Sequence, residues 1–515
     1  MRSLLVAALI GLSALVVINV GGCPDILVPG DGTTDGDGTT DGDGTTDGDG
    51  TDTKTLHERI FTEILTDGYE GTASCLNCHS GQARDLMDTA HWKWEGTSVN
   101  VVGFENGTHG KMDFINNFCI AVPSNEGRCS QCHPSYGWKS NTFDFTNREN
   151  IDCLVCHDTT GTYKKHPSAN GGGGPASLTI DGVVTPVGPE ELQDVAYNVG
   201  MPTRQNCGAC HFYAGGGDNV KQGTLSSDLE DPTFDMDVHM GSMASGGKDF
   251  SCQTCHAEKN HGISGMVFHS VGEGGAAPNC TRCHGTTGVH SANRVLSSAL
   301  NLHLARVACE TCHIPTFSRS MPTKVAWYWD EAGQDISPIP TDQYGKPTYD
   351  KMKGRFVWGK SVTPTYRWYN GKWDRAIVGV NDTYTVAGTE ADPVILAAPT
   401  ATMADADAKI YPFKKMVGRQ PADTTNKRLV VPHLFGSAAG LNAYWSKYDW
   451  GAALAEGAAY TGVEYSGNYG FVDTVMYLRV SHEVAPRESA LLCGDCHGHA
   501  DFFQGLGYTE DPFNP

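Results

Sequence analysis

The chain lacks the apolar residues that a protein of its length needs for a large core. Hydrophobic residues make up 39% of its 515 positions, whereas glycine alone occupies 62 of them. Such a composition supports only a thin core of side chains, because each residue contributes little apolar surface. We therefore expect something other than side chains to fill much of the interior.

Positive charge is also scarce. The chain has 37 Lys and Arg residues against 59 Asp and Glu residues, which gives a formal net charge of -22. This balance argues against nucleic acid and anionic membrane surfaces as partners, since both repel a negatively charged surface. A small anionic substrate would need a site that is locally basic.

Almost no cysteine stands outside one repeated pattern. All but two of the 18 cysteines, Cys23 and Cys119, belong to Cys-x-x-Cys-His units. Neither a disulfide framework nor a zinc ribbon explains why a histidine follows every pair. The unit is the attachment sequence of c-type haem, in which two thiols form thioethers to the porphyrin and the histidine ligates iron. We therefore predict eight covalent haems.

The eight motifs are numbered here in chain order. They are Cys75, Cys78 and His79 (motif 1), Cys129, Cys132 and His133 (motif 2), Cys153, Cys156 and His157 (motif 3), Cys207, Cys210 and His211 (motif 4), Cys252, Cys255 and His256 (motif 5), Cys280, Cys283 and His284 (motif 6), Cys309, Cys312 and His313 (motif 7), and Cys493, Cys496 and His497 (motif 8).

This layout predicts a multihaem cytochrome c domain over residues 53–515. We expect short α-helices and extensive irregular loops packed around eight covalently bound haems, with little β-structure. Residues 314–492 form an aromatic-rich insertion between motifs 7 and 8, and its aromatic side chains are expected to serve ordinary packing. Its basic segment, 409–419, is typical of a solvated face.

The first 52 residues have the pattern of an exported lipoprotein. Residues 1–22 resemble a signal peptide that ends in a bacterial lipobox, which predicts lipid attachment to Cys23 at a bacterial membrane, facing the periplasm or cell surface. Ordinary secretion with a chance cysteine is the alternative. Residues 23–52 are rich in Asp, Gly and Thr and predict a solvated tether, although alternating Asp and Gly could also chelate calcium.

The supply of axial ligands decides whether any haem is open to substrate. Of the 20 histidines, eight belong to motifs, and the other twelve are candidates for the opposite side of an iron. The candidates favoured by their nearness to motifs are His91, His239, His261, His303 and His482. Because the histidines suffice for two at every iron, their number alone does not establish a catalytic haem.

Lys221 is the strongest candidate for an unusual ligand. It comes after motif 4 and glycines 215–217, which allow the backbone to approach a planar ligand closely. A neutral lysine amine can ligate a metal. Lys164 and Lys165 come soon after motif 3 and compete for the same role, and a solvated lysine on a glycine loop is the plain alternative.

The order of these features resembles the octahaem tetrathionate reductases of bacterial respiration. The resemblance is carried by residues 152–165, 207–221, 237–240, 309–316, 319–324 and 431–436, and by the late eighth motif. It implies two histidines at seven haems, and His133 with Lys221 at the haem of motif 2. It also implies that Cys119 lies near that haem, where a thiol could contact a sulfur substrate.

The resemblance implies a respiratory reductase that splits tetrathionate into two thiosulfates, with His133, Lys221 and Cys119 at the catalytic haem. Nitrite or hydroxylamine could be reduced at the same kind of site. The expected partners are a small anionic or nitrogen or sulfur oxo substrate, together with redox cytochromes or quinol-oxidising membrane proteins. The alternative is a lipid-anchored electron conduit without turnover of its own.

Overall fold

The computed structural model describes residues 54–65, 67–165, 176–267, 271–273, 277–291, 297–436 and 442–513. The predicted signal peptide, the lipidated Cys23 and the tether with its calcium alternative lie outside these ranges, as do His166 and His269. Within the described ranges, no helix is both long enough and apolar enough to span a bilayer.

Most helices are short, as expected, and the haem-attachment motifs lie on or beside them. The helices are Leu56–Arg59 (α1), Thr72–Met87 (α2), Ala90–Lys93 (α3), Glu126–Cys129 (α4), Leu154–His157 (α5), Gln193–Tyr197 (α6), Arg204–His211 (α7), Cys252–Cys255 (α8), Thr281–His284 (α9), Ser297–His303 (α10), Cys309–His313 (α11), Tyr444–Lys447 (α12), Trp450–Thr461 (α13), Cys493–Cys496 (α14) and Ala500–Gly505 (α15).

Local capping explains where the helix of motif 4 begins. The Thr203 hydroxyl accepts from the backbone N–H of Asn206, and the Asn206 side chain accepts in return from the Thr203 N–H at 2.8 Å. This reciprocal cap satisfies two N–H groups that a helix N-terminus otherwise leaves without partners. Helix α7 therefore starts at Arg204 and presents motif 4 in its last turns.

Small antiparallel sheets occupy the first part of the chain. Their strands are Glu95–Thr97 (β1) with Thr108–Gly110 (β2), then Tyr163–Lys165 (β3) with Ala176–Ile180 (β4) and Val183–Pro186 (β5), then Glu258–Lys259 (β6) with Gly262–Ile263 (β7), and Gly265–Val267 (β8) with Val271–Glu273 (β9).

The expectation of little β-structure is wrong for the insertion, which builds a nine-stranded sheet. The insertion carries no haem motif, so it must bury its aromatic and β-branched side chains against one another, and such residues favour strands. Its strands are Thr323–Tyr328 (β10), Tyr349–Asp350 (β11), Gly354–Gly359 (β12), Thr365–Tyr369 (β13), Trp373–Arg375 (β14), Val394–Pro399 (β15), Lys409–Asp423 (β16), Arg428–Leu429 (β17) and Tyr469–Arg479 (β18).

Strand β16 is the centre of this sheet. It pairs in parallel with β10 and in antiparallel with β18, from Phe413 opposite Arg479 to Asp423 opposite Tyr469. The basic segment within it is therefore not a solvated face throughout: Lys414 is fully buried, while Lys415 is exposed. The register alone decides which of these adjacent lysines enters the core.

The sheet supplies a substantial core of buried side chains, so the interior is not filled by haem alone. One cluster of buried side chains joins Trp327, Met416 and Met476 of the sheet to Phe118 and Val220. Phe118 precedes Cys119, and Val220 precedes Lys221. The core thus fixes the two loops that carry the predicted site residues.

Helix α13 provides a test of this packing. A Cβ on Gly457 would lie 1.9 Å from the Val431 carbonyl oxygen, so Gly457→Ala should cost about 1–3 kcal/mol through overpacking. Gly451 lies in the same helix, and its Cβ would meet no atom closer than 3.4 Å. Gly451→Ala should therefore be neutral or stabilising, by up to about 1 kcal/mol. Thermal unfolding midpoints measure both effects, and equal midpoints would contradict the close approach.

Candidate functional site

Each motif lies on a helical turn that directs its two thiols to one side. Residues three apart in a helix share a face, so the spacing of two cysteines with two residues between them suits a single edge of a porphyrin. The histidine comes at the end of the turn. Local structure therefore prepares one side of each predicted haem.

Seven of the motif histidines face a second histidine across a gap suited to one iron atom. An imidazole nitrogen lies about 2 Å from a metal that it ligates, so two rings on opposite sides of one iron have centres roughly 6 Å apart. The observed ring centroids are 6.0 to 6.4 Å apart. The pairs are His79 with His57, His157 with His261, His211 with His91, His256 with His482, His284 with His239, His313 with His290, and His497 with His303.

All five histidines favoured from the sequence occur in these pairs, and two more join them. The additional histidines are His57 and His290. His290 comes after motif 6 in the chain but faces His313 of motif 7, so sequence neighbourhood does not reveal its partner. These pairs could each hold a haem iron.

Hydrogen bonds orient several of these rings. The Nδ1 atoms of His157 and His256 each lie 2.8 Å from a backbone carbonyl oxygen, and that of His497 lies 2.8 Å from Asp511 Oδ1. A carbonyl or carboxylate acceptor requires Nδ1 to carry the proton. Nε2 is then left with the lone pair that a metal needs.

A continuous cavity of about 2940 Å³ connects motifs 2 to 8. It is lined by the histidines of motifs 3 to 8, by six of the histidines that face them, and by both cysteines of motif 2. A cavity of this size beside the motif thiols, with paired imidazoles across it, fits c-type haem. His133 is not among its lining residues.

The structure places the ring of His133, the expected iron ligand of motif 2, in a buried aromatic cluster. Its ring is fully buried and lies among Trp92, Trp94, Trp138 and neighbouring phenylalanines. Nδ1 lies 2.7 Å from the Ser135 hydroxyl, and Nε2 lies 2.5 Å from the Trp92 carbonyl oxygen. Because Nε2 must donate to that carbonyl, it has no lone pair to offer a metal.

Lys221 lies close to the thiols of motif 2. It is half-buried and lines the cavity together with Cys129 and Cys132. Burial, together with the positive charges of Lys111 and Arg375, lowers the pKa of Lys221 to about 7. Its amine is therefore readily neutral, which ligation requires. The loop reaches this position through positive φ angles at Gly215 and Gly216, of 83° and 89°.

The competing lysines lie elsewhere. The Lys165 amine donates to the backbone carbonyl oxygens of His133 and Ser135, and it does not line the cavity. Lys164 is partly buried in β3 and also does not line it. The geometry therefore favours Lys221 over both.

Cys119 lines the same part of the cavity, next to motif 2. Burial raises the pKa of its thiol, with Lys353, Lys324 and Arg128 acting in the opposite direction. Lys353 and Arg128 line the cavity themselves, as does Lys111, whose amine lies 3.2 Å from the centre of the Trp94 ring. Sequence reasoning did not identify these three cations, because they come from separate segments of the chain.

Comparison with known proteins agrees with this arrangement. A crystal structure of octaheme cytochrome c from Shewanella oneidensis is 40% identical and superposes with a TM-score of 0.75, over 89% of this chain and 98% of that one. The chain belongs to the octahaem cytochromes c. The family model "Cytochrome c bacterial" matches residues 324–500. An uncharacterized protein of Archaeoglobus fulgidus is 26% identical over 245 residues, which is 40% of this chain and 79% of that protein.

The sheet of the cytochrome contacts the loop of Lys221 through the buried amine of Lys414 and through the Thr323 hydroxyl. Lys414 Nζ contacts the carbonyl oxygens of Val220 at 2.7 Å and Lys221 at 3.1 Å, and the Thr323 hydroxyl at 2.6 Å. The Thr323 hydroxyl donates its hydrogen bond to the Asn219 carbonyl oxygen at 2.5 Å. The hydroxyl oxygen of Thr323 must therefore accept from Lys414.

All three contacts of Lys414 therefore need a donated N–H, which is the full complement of an ammonium. Burial lowers the pKa of Lys414 well below its usual range. The three acceptor oxygens around Lys414 Nζ favour the charged amine and so oppose the effect of burial on its pKa. We therefore assign the ammonium form to Lys414 from this geometry.

Thiols of different motifs lie in contact, which orders the motifs in space. Neighbouring cysteines bring motif 1 close to 3, motif 2 to 4, motif 4 to 5 and motif 6 to 7, through the pairs Cys75 and Cys153, Cys132 and Cys210, Cys207 and Cys252, and Cys280 and Cys309. Cysteines of motifs 3 and 4, of motifs 5 and 6, and of motifs 7 and 8 are also near one another. Motif 2 thus branches from motif 4 of an otherwise continuous series.

The pairing of His290 with His313 is open to test. His290→Ala should leave the haem content unchanged, because the cysteines attach the haem, but should convert one low-spin haem to a high-spin form. His109→Ala is the control, since His109 pairs with Asp113 at 2.7 Å rather than with a motif histidine. Electron paramagnetic resonance distinguishes the two, and a parental spectrum for His290→Ala would refute the pairing.

Proposed function

We propose that this octahaem cytochrome is a respiratory reductase that delivers electrons to a small anionic substrate at the haem of motif 2. The resemblance of its motifs favours tetrathionate, reduced by two electrons to two thiosulfates, with nitrite or hydroxylamine as further substrates. The observation that carries the proposal is the difference between motif 2 and the other seven: its thiols face a lysine rather than a histidine pair.

In this proposal each of the eight motifs binds one haem, and histidine pairs ligate seven of them. Lys221 would hold the eighth haem from one side, in place of His133. The haem, when bound, supplies an iron that accepts electrons and polarises the substrate. Lys221 holds that position through the backbone of its loop, which the buried Lys414 fixes.

Electrostatics support an anionic substrate. Lys111, Arg128 and Lys353 line the cavity near motif 2, together with Lys221. On a chain of net charge -22, this local cluster of cations would concentrate an anion where the rest of the surface repels it. The Cys119 thiol lies in the same region and would contact a sulfur substrate directly.

The order of the motifs supports rapid electron supply. Motif 2 contacts motif 4 through Cys132 and Cys210, and motif 4 is coupled to motifs 3 and 5. A haem at motif 2 would therefore receive electrons through motif 4, which both arms of the series reach. Neighbouring haems could store the second electron that a two-electron reduction needs.

The continuous series of motifs also favours a second candidate function, an electron conduit without turnover. Seven histidine-paired haems would suffice for it, because a haem with two protein ligands carries electrons without binding substrate. In either case we propose that the protein is exported and lipid-anchored through Cys23. Its partners would be redox cytochromes or quinol-oxidising membrane proteins.

Lys221→Ala separates the two functions. A reductase should keep seven haem spectra unchanged, show a new ligand field at one haem, and lose tetrathionate, nitrite or hydroxylamine turnover by about 10–100-fold or more. The control is Lys164→Ala, which should match the parent in both measurements. Parental spectra and unchanged turnover in Lys221→Ala would exclude the lysine-ligated site. A parent that reduces none of these substrates would favour the conduit.

Lys414→Met tests whether the sheet positions Lys221. The substitution removes three donors and leaves buried acceptors unsatisfied, at about 1–3 kcal/mol for each group. We expect lower stability and an altered ligand field at the haem that Lys221→Ala also perturbs. Lys415→Met changes the adjacent exposed lysine and should alter neither. A parental spectrum for Lys414→Met would show that Lys221 is placed without it.

A further inference from the structure

A buried carboxylate and two tyrosine hydroxyls form a closed triangle beside motif 3. Asp152 is 1% exposed. Its Oδ1 accepts from the Tyr136 hydroxyl at 3.0 Å and from the Val155 N–H at 3.1 Å, and its Oδ2 accepts from the Tyr163 hydroxyl at 2.8 Å. The two hydroxyl oxygens lie 3.3 Å apart.

This triangle can satisfy its hydrogen bonds in two protonation states. With Asp152 ionised, both tyrosines donate to it, and no proton lies between the two hydroxyls. With Asp152 protonated on Oδ2, the acid donates to Tyr163, Tyr163 donates to Tyr136, and Tyr136 donates to Oδ1. Only hydroxyl rotations separate the two arrangements, so a proton can be gained without moving a heavy atom.

The groups around the triangle shift the pKa of Asp152 in opposite directions. Burial raises the pKa of Asp152, while Lys165 and the tyrosine hydrogen bonds act against burial. The groups that face the carboxylate are Tyr136, Tyr163, Lys165, Tyr69, Cys75, Cys153 and Cys156. Once the three cysteines are thioethers they carry no charge, and Lys165 is the cation that remains among these groups.

The triangle lies against the attachment points of two predicted haems. Asp152 directly precedes Cys153, which lies close to Cys75 of motif 1. Burial and then the charge of Asp152 raise the pKa of the Cys156 thiol to about 11. A charge on Asp152 therefore acts on the place where the haem of motif 3 would sit.

We propose that Asp152, Tyr136 and Tyr163 form a proton-loading site that takes up one proton when the haem of motif 3 is reduced. One electron from a redox cytochrome would add one negative charge to that haem. One proton taken up from the bulk solvent would convert the Asp152 carboxylate to the acid and cancel that charge. Tyr136 is the member of the triangle that is partly exposed, so the proton would enter from its side.

This site uses none of the residues proposed to bind substrate around Lys221, and its role does not depend on which substrate is reduced. It would couple electron storage in the haem series to proton uptake. The driving force is local neutrality, because an uncompensated extra charge in a buried region is costly.

Infrared difference spectroscopy of the haem-loaded protein tests the proposal. On electrochemical reduction, the parent should show a new C=O stretching band from a carboxylic acid, and Asp152→Asn should lack it. Asp144→Asn changes an exposed carboxylate that binds Thr146 and should retain the band. Absence of the band from the parent, or its persistence in Asp152→Asn, would overturn the proposal.

Tyr163→Phe provides a second test that keeps the carboxylate. The acid then loses the hydroxyl to which it donates, so its C=O band should remain but shift in frequency. If Asp152→Asn fails to fold, this variant decides the question. A band identical to that of the parent would show that Asp152 is not the group that is protonated.

Discussion

The rest of this structure depends on one geometric constraint: imidazoles from distant parts of the chain must face each other about 6 Å apart. Local sequence provides one member of each pair, at the end of a short helical turn. The other member comes from a different segment, as His482 does for His256 and His303 does for His497. These crossings fix how the loops run, because each places two segments on opposite sides of one haem position.

Motif 2 differs from the other motifs in the surroundings of its histidine. Among the described residues, no histidine faces His133 across such a gap, and its ring is held in an aromatic cluster by Ser135 and the Trp92 carbonyl oxygen. The thiols of motif 2 still line the cavity, where they meet Lys221 and a set of cations. The position of Lys221 there depends on the nine-stranded sheet, since its loop is anchored by Lys414 of β16.

Sequence reasoning succeeded for features that adjacent residues encode. It failed for features that depend on which segments pack together and which side chains become buried. The motifs and five facing histidines could be predicted, as could the position of Lys221 in the cavity lining. His57 and His290 were missed because nearness to a motif in the chain does not tell which motif a histidine faces. The sheet was missed because the aromatic side chains of the insertion were interpreted only as ordinary packing, and that interpretation does not distinguish strands from loops. The buried position of Lys414 depends on strand register, which composition does not reveal.

The cofactor chemistry of this protein is encoded locally, because two thioethers and an adjacent imidazole need only five consecutive residues. The short helices are encoded in the same way, since each motif occupies one helical turn. Tertiary structure determines which histidines face each other. It also places His133 in an aromatic cluster and brings Asp152 into hydrogen-bonding contact with two tyrosines. Those outcomes depend on which segments pack together in the core, and the free energy of that packing is summed over residues far apart in the chain.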